Sequence, residues 1–293
     1  MGPDGPIGIF DSGVGGLSVL RHIHRALPQE NLLYFADSGF APYGDKPEAD
    51  VLARSLQIAE FLINRGAKAL VVACNTATAI AIAELRMRYP HLPLIGIEPG
   101  LKPAAEQTGT KIVGVLATQR TLSSKKFAQL HERVATETHT RFLLQPCAGL
   151  AGQIEKGELD SATTASLVRQ YVAPLIAHGA DILVLGCTHY PFIRSLIESY
   201  IRQLDTRPVL ILDTGLPVTR QLISLLTKGG LQRTGPGSGS ITAFTSGREP
   251  ALAHAFADLL QLTPLITSVP LILPAQDASA SATRCTEKQK ARP

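Results

Sequence analysis

The sequence contains no tryptophan, and aromatic residues make up only 5% of its 293 residues. Aromatic side chains that could stack on nucleic-acid bases are therefore sparse. The net charge of +4 is also small, and about half of it lies in the Ser/Ala/Lys-rich stretch from residue 275 onward. Because the remaining charge is dispersed, it does not predict a basic surface, and we expect no nucleic-acid partner.

Long apolar runs are missing as well. No segment approaches the roughly 18 to 20 consecutive apolar residues of a membrane helix, and the first six residues, MGPDGP, lack a basic region followed by an apolar stretch. With 45% hydrophobic and 18% charged residues, the composition is that of an ordinary globular protein with a substantial core. We therefore expect a cytoplasmic protein with no membrane partner.

Cysteine is scarce and irregularly spaced, with four residues at Cys74, Cys147, Cys187 and Cys285. Such distant spacings do not form a disulfide framework, so we expect the thiols to be reduced and available for chemistry. Cys285 falls in the polar stretch after Pro274, which has no apolar period and is expected to be disordered. We interpret Cys285 as an incidental exposed thiol.

Two of the cysteines belong to an internal repeat. The segment GAKALVVACNT at residues 66–76 returns as GADILVLGCTH at residues 179–189, with the glycines and the cysteines offset by the same interval. Each copy ends an apolar strand on a thiol, at Cys74 and at Cys187. Cys147 has no counterpart in the first half, so we assign it to packing. The repeat indicates two related halves that each present one cysteine.

Short apolar runs alternate with helical patterns along the chain. Strands are predicted at residues 8–10, 32–36, 69–73, 94–97, 112–116, 142–144, 182–185, 209–212 and 241–244. The clearest helix spans residues 47–65, with Pro47 in its first turn and Gly66 just past its end. Because the strands are almost continuously apolar, the pattern favours an α/β fold with two pseudosymmetric domains. Each would be a mainly parallel sheet flanked by helices, with the active site in the cleft between them.

The boundaries of the two domains can be placed roughly. We expect residues 1–97 and 209–274 to form the first domain, because the strands after Pro208 are too few for a third one. Residues 98–208 are expected to form the second domain, and residues 275–293 a disordered tail. The first domain would carry Asp11 and Cys74, and the second Thr118 and Cys187.

Polar and thiol side chains fall where the predicted strands end. Ligands bind at the carboxyl ends of the strands in parallel α/β sheets, which is where Asp11, Asp37, Cys74, Thr118 and Cys187 are expected. Both cysteines are predicted to precede helices, whose free backbone N–H groups favour an anion such as a thiolate or a substrate carboxylate. One thiolate could take the weakly acidic α-proton of an amino acid, and the opposite thiol could deliver another. The arrangement therefore suits inversion of a carbon centre.

An ordered series of motifs runs from residue 7 to about residue 262. They are FDSGVGGL at 10–17, ADS at 36–38, PYG at 42–44, ACNTA at 73–77, GIEP at 96–99, AT at 117–118 with Thr121, IE at 154–155 with Gly157, and GCTHYP at 186–191. Each is weak alone, but the ordered set is specific. It resembles the cofactor-independent aspartate/glutamate racemase family, and within it the glutamate racemases of bacterial cell-wall synthesis.

The resemblance implies roles for individual positions. Cys74 and Cys187 match the two proton donors and acceptors. Asp11 and Asp37 match assisting groups near the first thiol, and Glu155 and His189 near the second. Positions that match substrate contacts are Asp11, Ser12, Pro42, Tyr43, Gly44, Asn75, Thr76, Thr118, Thr121, Thr188 and His189.

The resemblance also implies an activity. The family likeness predicts interconversion of L-glutamate and D-glutamate, which supplies D-glutamate for peptidoglycan synthesis. It predicts glutamate as the substrate, no cofactor, no metal and a homodimer.

Other functions also fit parts of the sequence. A nicotinamide-dependent oxidoreductase would explain the Gly13-Val14-Gly15 turn after a strand and Asp37 at the end of the next strand. It leaves the second cysteine motif unexplained, and Ser18 occupies the third glycine position of the dinucleotide motif.

A zinc site is a further alternative, although only Cys187 and His189, and not Cys74, show paired ligand spacing. Aspartate racemase and relatives that isomerise or decarboxylate other small carboxylates share the two-domain design. A protein that only binds its ligand is the remaining alternative.

Overall fold

The computed structural model describes residues 2–204, 207–235 and 237–271. Its strands are β1 (Ile7–Asp11), β2 (Leu32–Ala36), β3 (Ala69–Val72), β4 (Leu94–Gly96), β5 (Ile112–Ala117), β6 (Arg141–Pro146), β7 (Ile182–Leu185), β8 (Leu210–Leu212), β9 (Ile241–Thr245) and β10 (Leu265–Ser268). They form one sheet in the order β10-β9-β2-β1-β3-β4 and another in the order β6-β5-β7-β8. All of these neighbouring strands pair in parallel. The α/β prediction with two parallel sheets is confirmed.

Helices connect the strands and cover the sheets. They are α1 (Leu17–Ala26), α2 (Glu48–Asn64), α3 (Asn75–Arg88), α4 (Leu101–Gln107), α5 (Gln119–Leu122), α6 (Lys125–Thr138), α7 (Leu150–Glu155), α8 (Ala162–Ala177), α9 (Arg194–Leu204), α10 (Gly215–Lys228) and α11 (Glu249–Leu260). Short 3-10 turns occur at Tyr43–Asp45 and Tyr190–Ile193. Within the described ranges, no helix combines the length and apolarity needed to cross a bilayer.

The central strands explain the continuous apolar runs of the sequence. Every residue of β1, β3 and β7 is buried, because these strands have a neighbour on each side and apolar clusters on both faces. In a sheet covered on both faces, alternation with polar residues would place polar groups in the core. The polar residues therefore collect at the strand ends.

The predicted helix at residues 47–65 is observed as α2. Pro47 is its N-cap residue, and the helix ends just before Gly66, which has a φ of +84°. Glycine adopts this left-handed conformation without strain, so it stops the helix at low cost. The buried side of α2 also includes a charged residue, Arg54, which is only 5% exposed.

The structure corrects the expected return of the chain at residue 209. Strand β8 pairs with β7, with Ile182 opposite Leu210, so this segment belongs to the second sheet. Pairing with β8 occupies an edge of β7 that would otherwise be open. The chain returns to the first half with α10, which packs against α1.

One other difference concerns the end of the described chain. Strand β10, with the sequence LITS, was not predicted, because it is short and mostly exposed and so lacks a clear apolar pattern. The predicted tail at residues 275–293, with Cys285, lies outside the described residues.

Candidate active site

The carboxyl ends of the strands from both sheets surround a small cavity. It is lined by Ser12, Pro42, Tyr43, Gly44, Cys74, Asn75, Thr76, Thr118, Ala151, Cys187, Thr188 and His189. Cys74 follows β3 in the first half, and Cys187 follows β7 in the second. The two repeated thiols therefore reach one cavity from different halves, with exposures of 5% and 7%.

Cys74 is the N-cap residue of α3. Its sulfur accepts a hydrogen bond from the backbone N–H of Ala77 at 3.4 Å. Its thiol donates to Oγ of Ser12 at 3.8 Å, and the Ser12 hydroxyl donates in turn to Oδ1 of Asp11 at 3.5 Å. Burial raises the pKa of Cys74 to about 12, and the charge of Asp11 adds to this effect. The chain Cys74–Ser12–Asp11 thus connects the thiol to a buried carboxyl group.

A second connected series begins at Cys187. Its Sγ lies 3.7 Å from Nδ1 of His189, and Nε2 of His189 lies 2.8 Å from Oε2 of Glu155. Burial alone would lower the pKa of His189, but its hydrogen bonds to Cys187 and Glu155 hold that pKa well above the ordinary value of 6.5. A protonated ring donates from both nitrogens, so His189 can exchange a proton with the sulfur while Glu155 balances its charge.

Glu155 also joins the two halves. Its Oε2 accepts from the backbone N–H of Val14 at 2.9 Å, and its Oε1 accepts from Oγ of Ser38 at 2.7 Å. Burial would raise the pKa of Glu155, but its bond to His189 keeps that pKa below the ordinary 4.5. Glu155 therefore remains a carboxylate that holds two first-half loops against the second half.

The glycine-rich loop after β1 is packed against these groups. A Cβ placed on Gly13 would lie 2.2 Å from Oε2 of Glu155, and one on Gly15 would lie 2.4 Å from Nδ1 of His189. The Tyr34 hydroxyl donates to the carbonyl of Gly13 at 2.6 Å, which fixes the loop to strand β2. Glycine is needed at these positions because the second half approaches the backbone closely.

Asp11 forms another contact across the cleft. Its Oδ2 accepts from Oγ1 of Thr188 at 2.9 Å, and its Oδ1 accepts from the N–H of Gly13 at 2.9 Å. Burial raises the pKa of Asp11, while the positive charge of His189 acts in the opposite direction. Oγ of Ser18 lies 2.8 Å from the carbonyl oxygens of both Gly15 and Thr188, and its single proton, donated to one or shared between them, ties the same two segments together.

Hydroxyl and amide groups also line the cavity. Oγ1 of Thr118 lies 3.1 Å from Oγ1 of Thr76 and 2.9 Å from Oγ1 of Thr121. Asn75 is 5% exposed, and in the described structure neither polar atom of its side-chain amide has a hydrogen-bond partner. Buried amides are normally satisfied, so the Asn75 side chain is available to bind a polar ligand.

Four of the sequence-predicted residues do not line the cavity. Asp11 and Glu155 lie behind it and contact the lining residues described above, and Thr121 supports Thr118. Asp37 is fully buried, and its carboxylate accepts hydrogen bonds from Arg54, Tyr43 and Ser246. Its contact with the cavity is therefore indirect, through Tyr43.

The environment of the second thiol differs from the expected one. We expected a helix directly after Cys187, as α3 follows Cys74. Instead Tyr190–Ile193 forms a 3-10 turn, and α9 begins only at Arg194. The fully buried ring of Tyr190 and the restricted φ of Pro191 suit this tighter turn. Cys187 thus has a histidine neighbour where Cys74 has a helix N-terminus.

Comparison with known proteins identifies the family. The sequence profile described as Asp/Glu/Hydantoin racemase matches residues 7–220. The chain belongs to this racemase family. A glutamate racemase from Ectopseudomonas mendocina is 53% identical over 231 residues, which cover 79% of this chain and 86% of that relative.

Solved racemase structures share the fold. A glutamate racemase from Bacillus anthracis is 32% identical with a TM-score of 0.80, and the match covers 92% of this chain and 99% of that one. A glutamate racemase from Francisella tularensis, solved in complex with D-glutamate, is 26% identical with a TM-score of 0.79. That match covers 94% of this chain and 100% of the other. The racemase resemblance drawn from the motifs is confirmed.

The geometry also bears on the alternatives. The Gly13–Gly15 loop packs on Glu155 and His189, so it leaves no room there for the pyrophosphate of a dinucleotide. In the described part of this racemase, no group of three or more His, Cys, Asp or Glu residues is placed to hold a metal ion, so the zinc alternative gains no support.

Several contributors to the site carry no clear signal in the sequence. Ser38 follows Asp37 directly, and its position just after the end of β2 is the one signal that could have indicated a place in the site. Ala151 lines the cavity from α7, four residues before Glu155. Arg54 and Ser246 contact Asp37 from distant parts of the chain, and no pattern in the sequence pointed to them.

Proposed function

We propose that this racemase interconverts L-glutamate and D-glutamate by a two-base mechanism in which Cys74 and Cys187 transfer the protons. The observation that carries the proposal is that both thiols line a single small cavity, each from a different half. Inversion at a carbon needs acid-base groups on its two faces, which one cysteine could not supply.

The proton transfers balance without an external acceptor. One cysteine thiolate forms an S–H bond with the proton on the α-carbon, and the C–H electron pair remains on that carbon and its carboxylate. The S–H bond of the other cysteine then breaks, and its proton joins the α-carbon from the opposite face. The first sulfur ends as a thiol and the second as a thiolate, so the two exchange roles in the reverse direction.

Groups around the two thiols can assist the proton transfers. His189 and Glu155 form the hydrogen-bonded series that can assist proton transfer at Cys187. Ser12 and Asp11 form the corresponding series at Cys74. We propose that this pairing, together with hydrogen bonds to the substrate carboxylate, replaces the electron sink of a cofactor, so that none is required.

The cavity wall has suitable groups for both ends of glutamate. The free amide of Asn75 and the hydroxyls of Thr76 and Thr118 can bind carboxylates, and the N-terminus of α3 favours an anion. Asp11 lies behind this wall, where its carboxyl group can act on the substrate ammonium through the hydroxyls of Ser12 and Thr188. The relative from Francisella tularensis was solved with D-glutamate, which supports glutamate as the substrate here.

The wider role follows from the same likeness. We propose that this racemase supplies D-glutamate for peptidoglycan synthesis in the cytoplasm and functions as a homodimer. Light scattering of the purified protein tests the dimer: a mass near twice 31.2 kDa supports it, and a mass of one chain contradicts it.

Turnover in deuterium oxide tests the reaction. With D-glutamate as substrate, we expect L-glutamate that carries deuterium at the α-carbon, because the returning proton comes from a thiol that exchanges with solvent. D-aspartate and D-alanine, tested in parallel, measure the substrate preference. Failure to form L-glutamate would contradict the proposed activity.

A further inference from the structure

A buried arginine lies beside the site but outside every motif that carries the family resemblance. Arg54 on α2 is 5% exposed, and its guanidinium donates to both carboxylate oxygens of Asp37, with Nε at 2.5 Å from Oδ2. The guanidinium carbon also lies 4.7 Å from the centre of the Phe40 ring, and Nη1 donates to the carbonyl of Leu271 at 3.3 Å. Arg54 is therefore held on three sides.

The carboxylate of Asp37 is fully engaged by its neighbours. Besides the two bonds from Arg54, Oδ2 accepts from the Tyr43 hydroxyl at 2.6 Å, and Oδ1 accepts from the Ser246 hydroxyl. Asp37 has no exposed surface and does not line the cavity. A carboxylate with an arginine fork and two hydroxyl donors is placed to fix its neighbours and not to reach a substrate atom.

Tyr43 transmits this arrangement to the cavity. It is 1% exposed, and together with Pro42 and Gly44 it forms one wall of the cavity. The wall is close to the second half, since a Cβ on Gly44 would lie 3.0 Å from Cβ of Thr118. A shift of Tyr43 would therefore change the shape of the cavity directly.

We propose that Arg54 is a positioning residue, which acts through Asp37 and Tyr43 to fix the residue 42–44 wall against the substrate. The inference rests on the proposed function, because Pro42, Tyr43 and Gly44 line the cavity that is proposed to bind glutamate. It also gives the last third of the chain a part in the site. Ser246 and Leu271 complete the network, and both lie beyond the residues that the family profile matches.

Steady-state kinetics of two substitutions test the proposal. Arg54→Met keeps an unbranched side chain but removes the charge, so Asp37 loses its fork. We expect the KM for D-glutamate to rise about tenfold or more, with kcat changing less, since small misplacements of a binding wall have large effects. Arg54→Lys keeps the positive charge but cannot donate to both oxygens of Asp37 as the guanidinium does. Its KM should therefore lie between those of the wild type and Arg54→Met. Arg88→Met, which removes an exposed arginine paired with Glu84, is the matched control and should stay within twofold of the wild type.

A merely structural role gives a different result. It would reduce the folded fraction, seen by circular dichroism, and lower the apparent kcat with KM unchanged. That result, or a KM for folded Arg54→Met within twofold of the wild type, overturns the proposal. If Arg54→Met does not fold, Ser246→Ala tests the proposal instead, because it removes one hydroxyl donor from Asp37. A raised KM for Ser246→Ala supports the inference, and an unchanged KM overturns it. Wild-type turnover in the same assay tests the proposed function separately, since an inactive wild type counts against racemisation itself.

Discussion

Nε2 of His189 lies 2.8 Å from Oε2 of Glu155, and the same carboxylate oxygen accepts a hydrogen bond from Val14 in the other half. The pair therefore belongs both to the proposed proton path of Cys187 and to the contact between the two halves. The charges of His189 and Glu155 should therefore affect both the turnover rate and the stability of the fold.

The charge of Glu155 should matter for catalysis. In Glu155→Gln the side chain keeps its size but no longer balances a protonated His189. We expect turnover to fall by about 10² to 10⁴-fold, the range typical of a lost acid-base partner. Glu84→Gln, which changes a half-buried glutamate on α3 that does not line the cavity, is the control and should leave the rate unchanged. Equal rates for wild type and Glu155→Gln would contradict the role of Glu155 as a partner of His189.

The same pair should make stability depend on pH in a defined window. The raised pKa of His189 stabilises the fold fully below 6.5, and this contribution is lost as the pH rises through the folded-state pKa. The lowered pKa of Glu155 stabilises the fold above 4.5, and this contribution is lost as the pH falls through its folded-state pKa. The difference in Tm between wild type and Glu155→Gln should therefore be largest between 4.5 and 6.5. Thermal unfolding across this range checks it, and a difference that does not vary with pH would refute it.

The two cysteines should be separable by isotope exchange. Cys74→Ser and Cys187→Ser should each lose racemisation by at least about 10²-fold while keeping the fold, because one face of the α-carbon lacks its base. In deuterium oxide, each variant should exchange the α-proton of at most one enantiomer, and the two variants should differ in which one. Cys147→Ser is the control, because Cys147 is buried but does not line the cavity. Wild-type turnover in either catalytic-site variant would contradict the two-base mechanism.

The close packing of the glycine loop gives a matched pair of substitutions. Gly13→Ala places a Cβ 2.2 Å from the carboxylate of Glu155, so that carboxylate must move and His189 loses its partner. We expect a loss of activity of about tenfold or more, since misplaced catalytic groups are costly. Gly152→Ala, in the helix that carries Glu155, meets no atom within 4 Å and should keep full activity. It should also stabilise the protein by up to about 1 kcal/mol, measured by denaturant unfolding. Similar activities for the two variants would contradict the close contact between Gly13 and Glu155.

The raised pKa of Cys74 predicts slow, pH-dependent alkylation. With that pKa at about 12, the thiolate fraction grows about tenfold per pH unit throughout the neutral and mildly alkaline range. Iodoacetamide labelling of the Cys74 peptide, followed by mass spectrometry, should rise accordingly. A small free thiol measured alongside should level off near its ordinary pKa of about 8.5. A Cys74 labelling rate that levels off at the same pH as the free thiol would contradict burial as the dominant effect.

Much of the architecture could be predicted because its signals are local. Strand β2 and strand β7 lie at the predicted residues, and α2 differs from its prediction by one residue at each end. Apolar runs, helix stops and strand ends depend on neighbouring residues, so they can be read from the sequence. Contacts such as Ser246 with Asp37 could not be predicted, because nothing near either residue specifies the other.

The sequence by itself determined that the chain has two related α/β halves and that each half ends a buried strand on a thiol. These properties depend on local apolar pattern and on repetition. The tertiary structure alone decided which residues meet across the cleft, such as Glu155 with Val14 and Thr188 with Asp11. It also decided that Arg54 holds Asp37 and that β8 joins the second sheet. These contacts join segments far apart in the chain, and they form only when the packing of both halves brings the segments together.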